Sequence, residues 1–457
     1  MSHNINIQSE MPRYIEELSS ILRIPSVSSQ PKHKADMLAC AQRYAQLLTE
    51  NGADRADIFQ TAGHPVVYAE KIVDPSAETL LIYGHYDVQP AEPFELWETP
   101  PFEPNIRNGA IYARGANDDK GQSYMHVAAM RYLLDNNALK HNLKFLIEGE
   151  EEIGSPSLAS WVEEHKDLLA CDLILVSDTT MIAENVPSIN CGMRGLAYIE
   201  VKVTGPDKDL HSGHYGGAIA NPINSLSKMI ASLVDKNGRI TLPGFYDSVV
   251  ELSKEDRALL NKAPFDETEF KESIGIAAVV GEAGYTTLER TGIRPSLDVC
   301  GIWGGYTGPG AKTVLPSEAH AKISMRLVPN QDYRDITERC MKHLHDIAPQ
   351  GVTVETKAEH GGQGFLTPIA SKAYQAASKA MEQVYSIQPV PSRGGGSIPI
   401  LAEMQTILGA DPILMGFGLE RDVIHSPNES YLLSQFERGI KSLILFLQND
   451  SVVNEWV

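Results

Sequence analysis

Apolar residues recur at helical spacing over 36–50, Asn51-Gly52 follows as a stop, and short apolar runs then alternate with further helical stretches. That alternation predicts an α/β chain. Four runs read as buried strands, 79–83, 143–147, 173–176 and 413–417, and each is followed closely by acids or histidine. Bulky residues repeating every three or four positions predict amphipathic helices over 121–134, 369–384 and 432–447, whose apolar faces would cover the sheet. Ligands of open α/β sheets bind beyond the carboxyl ends of the strands, so four polar strand ends converging there suggest a site.

Between the third and fourth of these strands the pattern changes. It predicts strand 196–204, helix 221–235, strands 296–303 and 321–328, helix 332–347 and strand 352–356. The order β-α-β-β-α-β is the ferredoxin-like arrangement, which can fold as an independent module. With boundaries near Met193 and Phe365, the first domain becomes discontinuous, 1–192 and 366–457, around an insert at 193–365. Within the insert, 239–294 is rich in acids, contains Pro243-Gly244 and shows few clear periods, so its structure is left open, an extended loop and helix excursion being one reading.

A chain of 457 residues exceeds the usual size of a single core, which agrees with two domains. The formal net charge of -20 comes without a dense Lys/Arg run, which argues against nucleic acid as a partner; solubility accounts for the acidity. Five cysteines at scattered positions, with no C-x-x-C spacing, argue against a disulfide framework and a thiolate zinc site, and point to the reducing cytoplasm. The amino-terminal stretch lacks the basic and apolar regions of a signal peptide, and nowhere do about 18 apolar residues run together. Neither secretion nor a membrane span is expected.

LLIYGHYDVQP places His85 and Asp87 just past a strand and two residues apart, on one face of an extended backbone. Taken alone such a pair is more often structural; its position after the strand shifts that balance toward a metal ligand with a supporting neighbour. ARGANDDKG sets Asp118 and Asp119 before a helix, where capping, with a dipole contribution of ~0.5 kcal/mol, is the plainer role and can coexist with another. FLIEGEEEIGSP crowds Glu148, Glu150, Glu151 and Glu152 at a strand end, and adjacent carboxylates repel unless cations offset them. Asp178 repeats the strand-then-carboxylate arrangement, and His425 supplies a second imidazole after the last strand. Two histidines and several carboxylates suit zinc or manganese, and a shared carboxylate would hold two ions ~3.5–4 Å apart to activate a water against an amide carbonyl.

In order and over almost the whole chain, GHYDVQP, RGANDDKG, EGEEEIGS, VSD, DLHSGHYGG, RLVPN, RGGGSIP and HSPNES resemble the carnosinase-like dipeptidase branch of the co-catalytic di-metal peptidases. Aminoacylases, glutamate carboxypeptidases and succinyl-diaminopimelate desuccinylases are among the relatives. The resemblance implies a di-zinc exopeptidase-like α/β catalytic domain carrying an inserted ferredoxin-like α+β lid and dimerisation domain. It implies two divalent ions per subunit, zinc first and manganese second, one held by His85 and Asp178, the other by Glu152 and His425, with Asp118 bridging. Asp87 would orient His85, Glu151 would be the general base, and the Asp118–Asp119 peptide would be cis.

The resemblance further implies that His211 reaches from a partner subunit to stabilise the oxyanion, so a homodimer is expected. Arg326, Thr313, Arg393 and Ser397 match positions that bind a small peptide substrate, Arg326 and Thr313 at its carboxylate. The branch often carries an acidic residue directly after the arginine of RGGGSIP, where this chain has Gly394, which bears on how a substrate amine is held. The expected activity is hydrolysis of dipeptide amide bonds. The rivals are an N-acyl amino acid amidohydrolase or a carboxypeptidase on longer peptides using the same metal site, and, in a different class, a metal-loaded binding protein without turnover.

Overall fold

The computed structural model describes residues 5–395 and 398–453, so Ser397 lies outside the described residues. The chain forms two compact units. The first comprises Met1–Cys191, Thr367–Ser392 and Glu403–Val457; the second comprises Gly192–Leu366 together with Arg393–Ala402.

In the first unit, a mixed sheet runs in the order Arg55–Phe59, Val66–Lys71, Asn142–Glu148, Thr79–His85, Leu173–Val176, Asp411–Leu414, Ser188–Met193. The four strands from Asn142–Glu148 to Asp411–Leu414 are parallel to one another and carry near-continuous buried apolar residues, as strands covered on both faces require. Their carboxyl ends are the four polar strand ends of the sequence pattern. The last strand stops at Leu414, three residues before the predicted end; Met415 N–H still donates to Val176 O at 2.8 Å, but Phe417 N–H donates to a side chain, Gln122 Oε1, at 2.7 Å.

Helix Lys120–Asp135 is buried along almost its whole length beneath helix Leu433–Leu447, whose Ile440, Leu443, Ile444 and Leu447 are fully buried. Each such side chain contributes roughly 2 kcal/mol by leaving water. Gly439 permits the close approach: a Cβ there would lie 2.3 Å from Met125 Sδ. Helix Lys372–Tyr385 begins three residues later than the spacing predicts because Ser371 caps it, its Oγ accepting from Tyr374 N–H.

The second unit contains a four-stranded antiparallel sheet in the order Ser296–Gly304, Glu318–Leu327, Gly195–Thr204, Thr353–Gly362, with helices Pro222–Ala231 and Tyr333–Asp346 packed against it. This is the ferredoxin-like order. Strand Gly195–Thr204 alternates buried and half-buried residues, and Ala197, Ile199, Val201 and Val203 meet the helices. Asn221 and Asp332 cap those helices with their side-chain oxygens.

Residues 239–294, whose structure the pattern left open, contain helices Lys254–Leu260, Glu267–Ser273 and Thr287–Gly292, capped by Ser253, Asp266 and Thr286. None exceeds seven residues, too few turns to establish a period. Ion pairs hold the region instead: Arg294 to Glu282 and Glu251, and Arg257 to Glu289. Among the described residues no helix is long and apolar enough to cross a membrane, and no disulfide joins the cysteines.

Candidate metal centre

The parallel strands of the first unit deliver His85, Glu151, Glu152 and Asp178 to one sheet edge, and the loops after residues 112 and 414 add Asp118 and His425. Two groups result, His85 with Asp118 and Asp178, and Asp118 with Glu152 and His425; in each, one ligand atom per residue lies within 4.8 Å of the others. Asp118 belongs to both. Its Oδ1 lies 3.1 Å from His85 Nε2 and its Oδ2 lies 2.8 Å from His425 Nε2. Asp178 Oδ2 is 3.7 Å from His85 Nε2, and Glu152 Oε2 is 3.4 Å from His425 Nε2. The Asp118–Asp119 peptide is cis.

Asp87, fully buried, supports this arrangement twice. Its Oδ1 lies 3.3 Å from His85 Nδ1, and its two oxygens accept the backbone N–H groups of Glu151 and Glu152 at 3.2 and 3.1 Å. The Asp87 main-chain oxygen lies closer still to His85 Nδ1, at 3.0 Å, so the same residue orients one imidazole and fixes the turn that presents two carboxylates. The carboxyl of Glu151 belongs to neither group and accepts no hydrogen bond among the described residues.

The four-acid run divides by its contacts. Glu148 accepts from Tyr83 Oη at 2.6 Å and Ser155 Oγ at 2.9 Å, and Glu150 accepts the N–H groups of His64 and Ser157. Those two are structural, leaving Glu151 and Glu152 at the cluster. Asp119 turns away from the metal groups and accepts His85 N–H at 3.1 Å; the close approach needs Gly84, where a Cβ would lie 2.7 Å from Asp119 Oδ2. Sequence reasoning missed Gln89, whose N–H and side-chain amide both donate to Glu152, and Glu429, a buried carboxylate facing the Asp118 backbone. Both lie inside motifs already singled out, GHYDVQP and HSPNES, but neither residue type announces a supporting role.

Without a cation the cluster is electrostatically frustrated. Burial, then neighbouring carboxylates led by Asp118, push Glu152 up to about 8 and Asp178 up to about 6. Burial also raises Glu151 well above the usual carboxylate range. Asp118 alone is depressed, because hydrogen bonds from His425 and His85 outweigh its burial. Hard oxygen donors and two imidazoles, short of positive charge and sharing one carboxylate, fit a pair of divalent cations.

The sequence pattern of peptidase family M20/M25/M40 matches residues 81–449. The chain belongs to that family. It is 31% identical over 452 residues to the Cys-Gly metallodipeptidase of Schizosaccharomyces pombe, covering 95% of each chain, and 33% identical over 389 residues to human Beta-Ala-His dipeptidase, covering 84% of this chain and 76% of that one. Among solved structures, an M20 family metallo-carboxypeptidase from Sulfolobus solfataricus superimposes with a TM-score of 0.82 at 35% identity, covering 95% of this chain and 98% of the other. The mixed α/β fold is that of the family.

His211, Thr313, Arg326 and Arg393 lie in the second unit. Strand Leu210–His211 pairs with Val314–Leu315, and Ser212 N–H donates to Thr313 O at 3.0 Å, so His211 and Thr313 are neighbours on an exposed edge. His211 Nδ1 accepts from Gly213 N–H, and its ring stacks on His214 with centroids 4.5 Å apart. Arg326 is half-buried on strand Glu318–Leu327, and Arg393 is half-buried beside Gly292. Arg194 donates to the main-chain oxygens of Gly395, Arg290 and Arg294, and burial, then the Arg326 charge, lower its pKa to about 10.

Proposed function

We propose that this chain is a two-metal dipeptidase, in which His85, Asp118 and Asp178 hold one divalent ion and Asp118, Glu152 and His425 hold the other. The observation that carries the reading is Asp118, whose two oxygens address two different imidazoles. Zinc is the first expectation for the metal and manganese the second, since imidazole with carboxylate suits both. Two cations so held supply Lewis acidity for the scissile carbonyl and lower the pKa of the attacking water. Glu151, beside the cluster and outside both donor groups, takes the proton from that water and passes it to the leaving amine nitrogen. Asp87 holds His85 and the Glu151–Glu152 turn in place while the proton moves.

In this reading Arg326 and Thr313 receive the substrate carboxylate, and Arg393 and Ser397 line the peptide. His211 acts from a partner copy as oxyanion donor, so the working species is a homodimer and the isolated subunit is weakly active. The substrate is a free dipeptide in the cytoplasm, and Gly394 leaves its amine without a side-chain carboxylate at that position. Support for the dipeptide comes from the names of the fungal and human relatives, both dipeptidases; the Sulfolobus relative, a metallo-carboxypeptidase, makes longer peptides the rival substrate. The test is hydrolysis by zinc- or manganese-loaded protein of free dipeptides beside their N-acylated, C-amidated and tripeptide counterparts. Cleavage confined to free dipeptides is the expected result; faster cleavage of N-acylated compounds or tripeptides overturns the substrate assignment.

A further inference from the structure

His425 stands on an awkward stretch of chain. Val423, His425 and Asn428 have φ of 47°, 62° and 65°, a left-handed region that non-glycine residues rarely adopt, and the His425 side chain is half exposed. Such a conformation persists only where neighbouring structure imposes it. The Asp118 loop has a matching need, because a shared ligand must hold both oxygens in place.

One side chain joins the two loops. Glu429, fully buried, sits four residues after His425 and faces the Asp118 loop, some three hundred residues earlier in the chain. Its Oε1 accepts the backbone N–H groups of Asn117 at 3.0 Å and Asp118 at 3.2 Å. Its Oε2 accepts Gly115 N–H at 3.0 Å and Arg114 Nη1 at 2.6 Å, and its backbone carbonyl accepts Ala113 N–H at 3.2 Å. Arg114 is itself buried, and its Nη2 donates to Pro90 O at 3.2 Å. Among the described residues every hydrogen-bond partner of the Glu429 carboxylate is a donor, a demand that a carboxylate meets and an amide cannot, since an amide nitrogen would confront N–H groups.

Lesser ties run in parallel. Asn117 Nδ2 donates to Asp422 Oδ2 at 2.6 Å, and Asn428 bridges Leu96 O and Glu98 N–H, both at 2.8 Å. None of these touches the Asp118 main chain. Glu429 does so directly, from the segment that also carries His425.

We propose that Glu429 is a positioning residue of the metal centre, a clamp on the Gly115, Asn117 and Asp118 amides that sets the bridging carboxylate and the His425 loop in register. It touches neither metal nor substrate and acts through Asp118 and His425. The inference rests on the two-metal reading given above.

The experiment compares three proteins, wild type, Glu429→Gln and Arg114→Met, each stripped of metal and titrated with zinc against a chromophoric chelator, with melting of the metal-free forms measured alongside. Both variants break the same buried ion pair and lose melting temperature. Only Glu429→Gln is expected to weaken zinc binding, by about 10- to 100-fold in at least one of the two equivalents, the usual effect of removing a group that orients a ligand; Arg114→Met keeps both within about threefold. Equal zinc affinity in Glu429→Gln and wild type overturns the proposal, as does an equal loss in both variants, which would make the effect one of folding. If Glu429→Gln does not fold, Glu429→Asp carries the same expectation, because it keeps the charge opposite Arg114 while drawing the oxygens back from the amides. Failure of the wild type to bind two equivalents would instead overturn the metal-centre reading itself.

Discussion

Replacing Glu151 with Gln separates proton transfer from metal holding. The turn that carries Glu151 is fixed through its main chain, by the bond from its N–H to Asp87 Oδ1 at 3.2 Å, so the side chain can change without releasing the loop. Its carboxyl lies in neither ligand group. The amide keeps the volume and removes the proton-accepting capacity together with one negative charge. Because Asp178, Glu152 and Asp118 all push the Glu151 carboxyl upward after burial does, losing that charge relieves repulsion and leaves the metal-free protein as stable as wild type or more so. Loss of a general base costs about 10²–10⁴ in rate, which at 1.36 kcal/mol per tenfold is roughly 3–5 kcal/mol of barrier. The assay is steady-state hydrolysis of the best dipeptide from the substrate panel, with metal content measured on the same samples. The expected outcome is kcat down by at least a hundredfold, KM within about threefold and two metal equivalents retained. A kcat loss below tenfold, or a loss of metal, would refute the assignment of Glu151 as proton shuttle.

Metal affinity should rise with pH between about 6 and 8, since Asp178, raised to about 6, and Glu152, raised to about 8, must lose protons before they can bind a cation; titrations across that range check it. The same shifts make the metal-free protein less stable as pH climbs from about 4 to about 8. Both carboxyls have native pKa values above their ordinary ones, so the native state binds more protons than the unfolded state in that window, and thermal melting with and without metal should diverge upward in pH. Asp87→Ala, which frees the Glu151–Glu152 turn and leaves His85 Nδ1 only the main-chain carbonyl of residue 87, should lower metal affinity or kcat/KM by about 10- to 100-fold. In the second unit, Glu289, paired with Arg257 and capping helix Thr287–Gly292, is held down to about 2; its stabilisation, at most about 3 kcal/mol, should be present above about pH 4.5 and fade toward pH 2, read as a shrinking stability gap between wild type and Glu289→Gln.

Much of the scaffold was legible because its elements are long and one-sided. Strands 79–83, 143–147 and 173–176 are apolar runs that stop abruptly at acids or histidine, and that punctuation marks the sheet edge where the cluster forms. The β-α-β-β-α-β order of the insert left one sheet arrangement to find. What sequence could not sort was one acid from another. Glu148, Glu150, Glu151 and Glu152 look alike in EGEEE, and only three-dimensional partners such as Tyr83, Ser155 and the His64 N–H assign the first two to structure. Glu429 was invisible for a related reason: its partners are main-chain amides from a loop far off in sequence, and backbone donors leave no trace in residue identity. The short helices of 239–294 escaped because ion pairs and caps, which have no period, hold them.

The division of the first unit across the chain sets the order in which a nascent polypeptide can finish folding. Strands through Leu173–Val176 emerge early, yet the strand that lies beside it, Asp411–Leu414, and the helix that seals Lys120–Asp135, Leu433–Leu447, are made only after the whole second unit. During synthesis at about 5–20 residues per second, the early half waits ten seconds or more with its Leu175 edge unpaired and the Met125 face uncovered. His425 and Glu429 arrive in that same final segment, so the chain becomes able to gather its ligands at the moment its core closes.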